Sequence, residues 1–134
     1  MRAADVAECA AWDGSDPEAA LRRSCAASPL CWTALLDGAP MCLCGLAVAH
    51  LCAAEAAPWA LGTDDVEREP LAFLRRSAAL RDVMLRHWRR LVNWTDARHV
   101  RSHAWLRWLG FALDDPEPAG VAGLPFHKFW LEAG

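Results

Sequence analysis

Apolar positions change their spacing several times along the chain, and the changes divide it into elements. The two opening segments, "ADVAECAAWDG" and "SDPEAALRRSCAASP", read as short helices, the second opened by an N-cap Ser15 or Asp16 with Pro17 in its first turn and ended by Pro29. "LCWTALL" and "MCLCGLAV" are apolar runs of strand length joined by Asp37-Gly38-Ala39-Pro40, a turn sequence, and so predict a hairpin. "APWALGT" is a third short strand. Pro70 then opens a long helix, on which Phe73, Ser77, Leu80, Met84, Trp88 and Leu91 recur every three or four positions while Arg75, Asp82, Arg86 and Arg89 take the opposite face. "LVNWTDA" predicts a strand, residues 100–109 a helix stopped by Gly110, and "GFALD" and "FHKFWLE" two final strands around an irregular "DPEPAGVAGLP" loop. The order α-α-β-β-β-α-β-α-β-β, without an internal repeat, describes an α/β (α+β) single sheet flanked by helices, with residues 1–134 as one domain.

Composition narrows this reading. Hydrophobic residues make up 54% of the chain and eight residues are Trp, which excludes a disordered protein and calls for a packed core. The net charge of −3 gives no global attraction to nucleic acid or to an anionic membrane, although thirteen Arg against one Lys, Lys128, leave room for local basic faces. Six Cys without a signal-peptide pattern point to a reducing compartment. The least polar window, residues 38–54, contains Pro40, Gly45 and His50 and is shorter than a membrane span, so it predicts buried strand and no membrane partner.

The stretch "LVNWTDARHVRSHAWLRWLGFAL" resembles the last strand–helix–strand unit of the GNAT acyltransferase fold, whose helix typically ends "L-Y-x-K-L-G-F". More narrowly, "PWALGTD", "NWTDARHVRSHAWLRWLGF" and "FHKFWLE" are similar to the short GNAT-like proteins of short-tailed bacteriophages, small internal virion proteins. The resemblance implies a single mixed, mostly antiparallel sheet. The family begins with a strand ahead of "R-x-A-x-x-D", and Met1-Arg2 leaves almost no room for it, so that the N-terminal strand is expected to be short or missing.

The resemblance also sets chemical requirements. Acetyl-CoA-dependent members need a Gly-rich turn whose N–H groups, at the start of the long helix, hold a pyrophosphate. Here that turn runs from Leu61 to Pro70 with one Gly, and four carboxylates at positions 64–69 against one Arg are expected to fill the cradle as a plug. Leu61, Gly62 and Thr63 would be the cofactor-binding residues if acyl-CoA binds at all. The Tyr that reprotonates the thiolate aligns, counting from Gly110, with Leu106, and the chain contains no Tyr. Glu55 and the acids at 64–69 are bases by type only. No catalytic residue is assigned.

Other groupings read as structure. Cys31, Cys42, Cys44, His50 and Cys52 lack the C-x₂₋₄-C turns of zinc sites and serve as core, so no metal is expected. His99 and His103 lack a third ligand, and His99 falls where the family starts its helix, which favours capping or loop-tying. Arg75, Arg76, Arg86, Arg89 and Arg90 form a solvated face that could meet phosphate or an acidic partner. Arg86, Arg89, Arg90, Trp94, Arg98, Trp105 and Trp108 are the candidate partner surface, since Trp and Arg dominate interface hot spots. Together with these features, the resemblance to the phage proteins implies a virion-associated structural and interaction protein on a catalytically degenerate GNAT-like fold. It would need no cofactor, bind other virion proteins, and reside in the virion after assembly in the host cytoplasm. The alternative is an active N-acyltransferase using acetyl-CoA through an altered loop. A further reading has the cofactor gap between the central strands gripping a peptide by strand addition.

Overall fold

Helix-end chemistry fixes the N-terminal layer. In the computed structural model, which describes residues 1–49, 53–68 and 70–134 and only the backbone of residue 67, α1 (Ala3–Asp13) ends on Gly14. That residue's φ of 75° is a left-handed conformation that glycine adopts at little cost. α2 (Pro17–Ala26) begins with Asp16 Oδ1 accepting from the Ala19 N–H at 2.9 Å, and Pro17 occupies a first-turn position that needs no donor.

β1 (Leu30–Leu36) and β2 (Ala39–Ala47) form the predicted hairpin, with a tighter turn than the four-residue sequence suggested. Asp37 and Gly38 both have positive φ, 51° and 80°, as a two-residue I′ turn requires, and Ala39 already pairs with Leu36. β3 (Glu55–Gly62) leads through a 3₁₀ turn (Asp64–Glu67) into α3 (Pro70–His87). The apolar stripe of α3 stops short of its predicted end, because Leu91 lies in β4 (Arg90–Asp96) and is buried by the sheet.

α4 (Val100–Trp108) ends in a Schellman arrangement. The Gly110 N–H returns to Arg107 O and the Phe111 N–H to Leu106 O, with Gly110 at φ 98°. β5 (Ala112–Leu113) is shorter than "GFALD" predicted. The loop expected to be irregular contains β6 (Glu117–Ala119), antiparallel to the start of β7 (Leu124–Glu132). Pro118 and Pro125 face each other in that ladder, where an edge tolerates a residue without an N–H, and they masked the strand signal.

The strands lie in the order β1-β2-β3-β4-β7-β5, with β6 also on β7, and every pairing is antiparallel except β3 with β4. That parallel pair is held by two rungs, Glu55 against Arg90 and Ala56 against Leu91, and past them β3 and β4 leave a gap in the sheet. Alternation along β4 and β7 assigns the layers. Leu91 and Phe129 pack with Met84 of α3 and Leu106 of α4, whereas Trp94 and Phe126 meet Trp12 of α1 on the other face. α3 and α4 are pinned together by Phe73 against Trp105, with ring centroids 5.2 Å apart, and by the Trp105 indole donating to Ser77 Oγ.

Leu91 is fully buried at the centre of the larger core cluster. Leu91→Ala is therefore expected to lower unfolding free energy by about 2–5 kcal/mol, read as a lower urea midpoint at an unchanged m-value.

Candidate functional site

The gap between β3 and β4 opens into a cleft of about 360 Å³ that reaches from α1 to α3 and α4. Its edges are strand backbone, and the polar groups of an unpaired edge need partners. Several of them find partners within the chain. Asn93 acts as a substitute peptide group, since its Nδ2 donates to Pro58 O on β3 at 2.9 Å and its Oδ1 accepts from the Trp94 N–H on β4 at 2.8 Å. Farther along, the Gly62 N–H donates to Asp5 Oδ2 at 2.8 Å, and the Arg2 N–H donates to Gly62 O at 2.7 Å. On the β4 side, Glu8 Oε1 accepts from the Asp96 N–H at 3.1 Å.

These contacts make α1 a staple across the gap. Asp5 is 2% exposed, and the Arg2 guanidinium meets both of its oxygens at 3.0 and 3.1 Å, so the buried carboxylate is paired. One turn on, Glu8 Oε2 bonds His99 Nδ1 at 3.0 Å; a further turn on, Trp12 packs against Trp94 and Phe126 at centroid distances of 6.1 and 5.3 Å.

Three donors of the turn after β3 are bonded within the chain as well. The Thr63 N–H goes to Met41 O, Val66 N–H to Thr63 O and Arg68 N–H to Asp65 O. Val66 is buried against Met41 and Cys42, and a Cβ on Gly62 would stand 2.8 Å from its Cγ2. Two of the acids predicted to plug the cradle point elsewhere: Asp64 is exposed, and Asp65 pairs with Arg68 at 2.8 Å. The side chain of Glu67 and the whole of Glu69 lie outside the described residues, as do His50 and Cys52 of the imagined zinc group. Leu61 and Gly62 thus end β3 and Thr63 opens the 3₁₀ turn, with the Gly62 and Thr63 amides bonded internally.

Asp5, Glu8 and His99 bring potential metal-ligand atoms within 4.8 Å of one another. Arg2 already holds both Asp5 oxygens, so an added cation would face a guanidinium, and the set reads as an ion-pair network. Nor do Glu8, His99 and Ser102 form a nucleophilic triad. Ser102 Oγ is 3.1 Å from Nδ1 and 3.0 Å from Nε2, a position over the ring and out of line with either in-plane nitrogen. Leu106, at the general-acid position, is buried in the core. Burial pushes the Cys42 thiol up to about 11 and Cys44 up to about 12, which keeps both protonated at neutral pH.

The seven residues of the candidate partner surface are not one patch. Arg90 is tied to Glu55 at 3.3 Å and lies over the Trp130 ring, and Arg98 clasps Asp96. Trp94 faces α1, and Trp105 is packed on α3. Arg86, Arg89 and Trp108 are exposed. Sequence reasoning missed Asp5, Glu8 and Asn93. The available signal was the spacing of Asp5, Glu8 and Trp12 on one helical stripe.

No protein-family model and no curated protein matches the chain. Solved structures do. An acetyltransferase from Bacillus subtilis in complex with CoA superposes with a TM-score of 0.68 at 8% identity, over 88% of this chain and 85% of that one. An IAA acetyltransferase from Bacillus cereus gives 0.66 at 11% identity, over 95% and 91%. Ribosomal-protein-alanine N-acetyltransferase from Brucella melitensis gives 0.64 at 12% identity, over 87% and 75%. The chain has the GNAT acetyltransferase fold, with a mostly antiparallel open sheet flanked by four helices.

His103 ties α4 to the end of β4 through Nε2 and Asp96 O at 2.9 Å, and burial lowers its pKa from the ordinary 6.5. A folded pKa below the unfolded one gives stability that is complete above the unfolded value and lost as pH falls through the folded value. Chemical unfolding between about pH 7 and about pH 5 should show declining stability, and His103→Gln should flatten that decline.

Proposed function

We propose that this protein is a GNAT-fold binding component without acyl-CoA-dependent transfer, and that its partners are other proteins of a phage virion. The observation that supports the first part is the closure of the β3–β4 gap by Asn93, Asp5 and Glu8, together with the spent N–H groups of Gly62, Thr63, Val66 and Arg68. A pyrophosphate that took the Gly62 or Thr63 N–H would have to break its present bond, and a buried group left unpaired costs about 1–3 kcal/mol. Buried Leu106 supplies no proton to a departing thiolate. The virion setting rests on the resemblance of the "PWALGTD", "NWTDARHVRSHAWLRWLGF" and "FHKFWLE" segments to the short phage proteins.

One observation favours an active N-acyltransferase as the second reading. The cleft is lined by a hydrogen-bonded acid–imidazole pair, Glu8 and His99, which has the composition of a general base.

Calorimetric titration of the reduced protein with acetyl-CoA, beside a thiol-release assay with amine acceptors, separates the two. The expected result is no saturable heat and no thiol release. Micromolar binding with release that Glu8→Gln abolishes would put the acyltransferase in its place. For the virion part, mass spectrometry of gradient-purified particles should find the chain, and its absence from them would remove that assignment.

A further inference from the structure

Charge is divided between the two helical layers. α3 and α4 together carry six Arg and one Asp, whereas α1 and α2 carry four acids against two Arg. The one acid of the α3–α4 layer, Asp82, is bonded by Arg81 Nε at 3.0 Å, and Arg81 is further tied to Leu109 O. Arg75, Arg76 and Arg86 of α3 and Arg107 of α4 are exposed, and none of these four is in an ion pair among the described residues. Both helices lie on the same face of the sheet and are locked to each other through Trp105, Phe73 and Ser77, so Arg75 and Arg86, which share one face of α3, are held on a rigid base.

We infer that the outer surface of α3 and α4 docks the backbone of a nucleic-acid duplex. Arg75 and Arg86 stand eleven residues apart on one helix, about 16 Å at 1.5 Å per residue. That length of duplex axis carries about nine phosphate charges, at one per 1.7 Å. The cations are all arginine, whose planar fork matches phosphate oxygens in pairs. Trp108, 54% exposed, offers a flat apolar surface on the neighbouring helix α4. A net charge of −3 over the whole chain does not oppose this, because beyond about 10 Å the acidic layer is screened at ordinary salt. The contact is sequence-independent, since phosphate contacts position a protein without reading bases. Arg75 and Arg86 do not line the cleft, so the contact does not depend on whether the cleft admits acyl-CoA.

The test is fluorescence anisotropy of a fluorescein-labelled duplex of mixed sequence, about one to two helical turns long, with the reduced full chain at 50 and 200 mM salt. Binding is expected at the lower salt and about 100-fold weaker at the higher, the change for about four neutralised phosphates. Arg75→Glu with Arg86→Glu should weaken it at least tenfold, while Arg22→Glu on α2 should leave it unchanged, each variant first shown folded by circular dichroism. No binding at 50 mM salt, or binding insensitive to the α3 pair, would overturn the inference. So would tighter binding to polyglutamate than to the duplex, which would assign the surface to an acidic protein. A salt-dependent dimer in sedimentation velocity that the α3 pair abolishes would assign it to the acidic layer of a second copy.

Discussion

A carboxylate taken out of water must be paired, and Asp5 meets that demand with groups from two distant parts of the chain. Arg2 is local, but the Gly62 N–H lies at the far end of β3, 57 residues on. Burying such a charge costs several kcal/mol, and the return in bonds and attraction comes only when every lone pair is matched. The arrangement therefore contributes less to net stability than to register: α1 has one position over the sheet that satisfies Asp5. Once Asp5 is seated, Glu8 reaches Asp96 and His99, and Trp12 reaches Trp94 and Phe126, because the three side chains share a helical stripe.

The consequence for the cleft follows from the same bonds. A sheet that separates after two parallel rungs exposes two polar edges, and a ligand with alternating donors and acceptors could bridge them. In this chain the bridging is done by a side-chain amide and two carboxylates of its own. The large core lies between the sheet and α3 with α4, where Leu46, Leu91 and Phe129 meet Met84 and Leu106, and the last three also line the cleft. The fold is thus held on one face by apolar packing, and on the other by α1 with a polar staple and an aromatic contact.

Most of the architecture was legible in the sequence because its signals are local. Asp16 with Pro17, Asp37-Gly38 and Gly110 act within four or five residues of themselves, and the structure places each where its chemistry predicts. The resemblance anticipated the sheet's mixed character. β6 was missed because prolines on both sides of its ladder imitate a loop. The cradle was judged by its acids at 64–69, yet Asp64 and Asp65 turn away. The groups that close the gap come from positions 5, 8 and 93, whose partners are fixed only by the tertiary fold. Trp94 and Trp105 were grouped by proximity in sequence, although strand alternation and helix phase send them to opposite sides of the sheet.

The reach of the α1 contacts also bears on how the chain acquires its shape. Asp5 waits for residue 62, and Glu8 for residues 96 and 99, so α1 is without its partners until those residues have been synthesised. Contacts of such separation close late, after the local hairpins and helices have formed. Docking of α1 over the β3–β4 gap therefore depends on groups that follow their partners by 57 and 88 residues. Any molecule able to occupy that gap would compete most effectively during synthesis, when α1 has yet to dock.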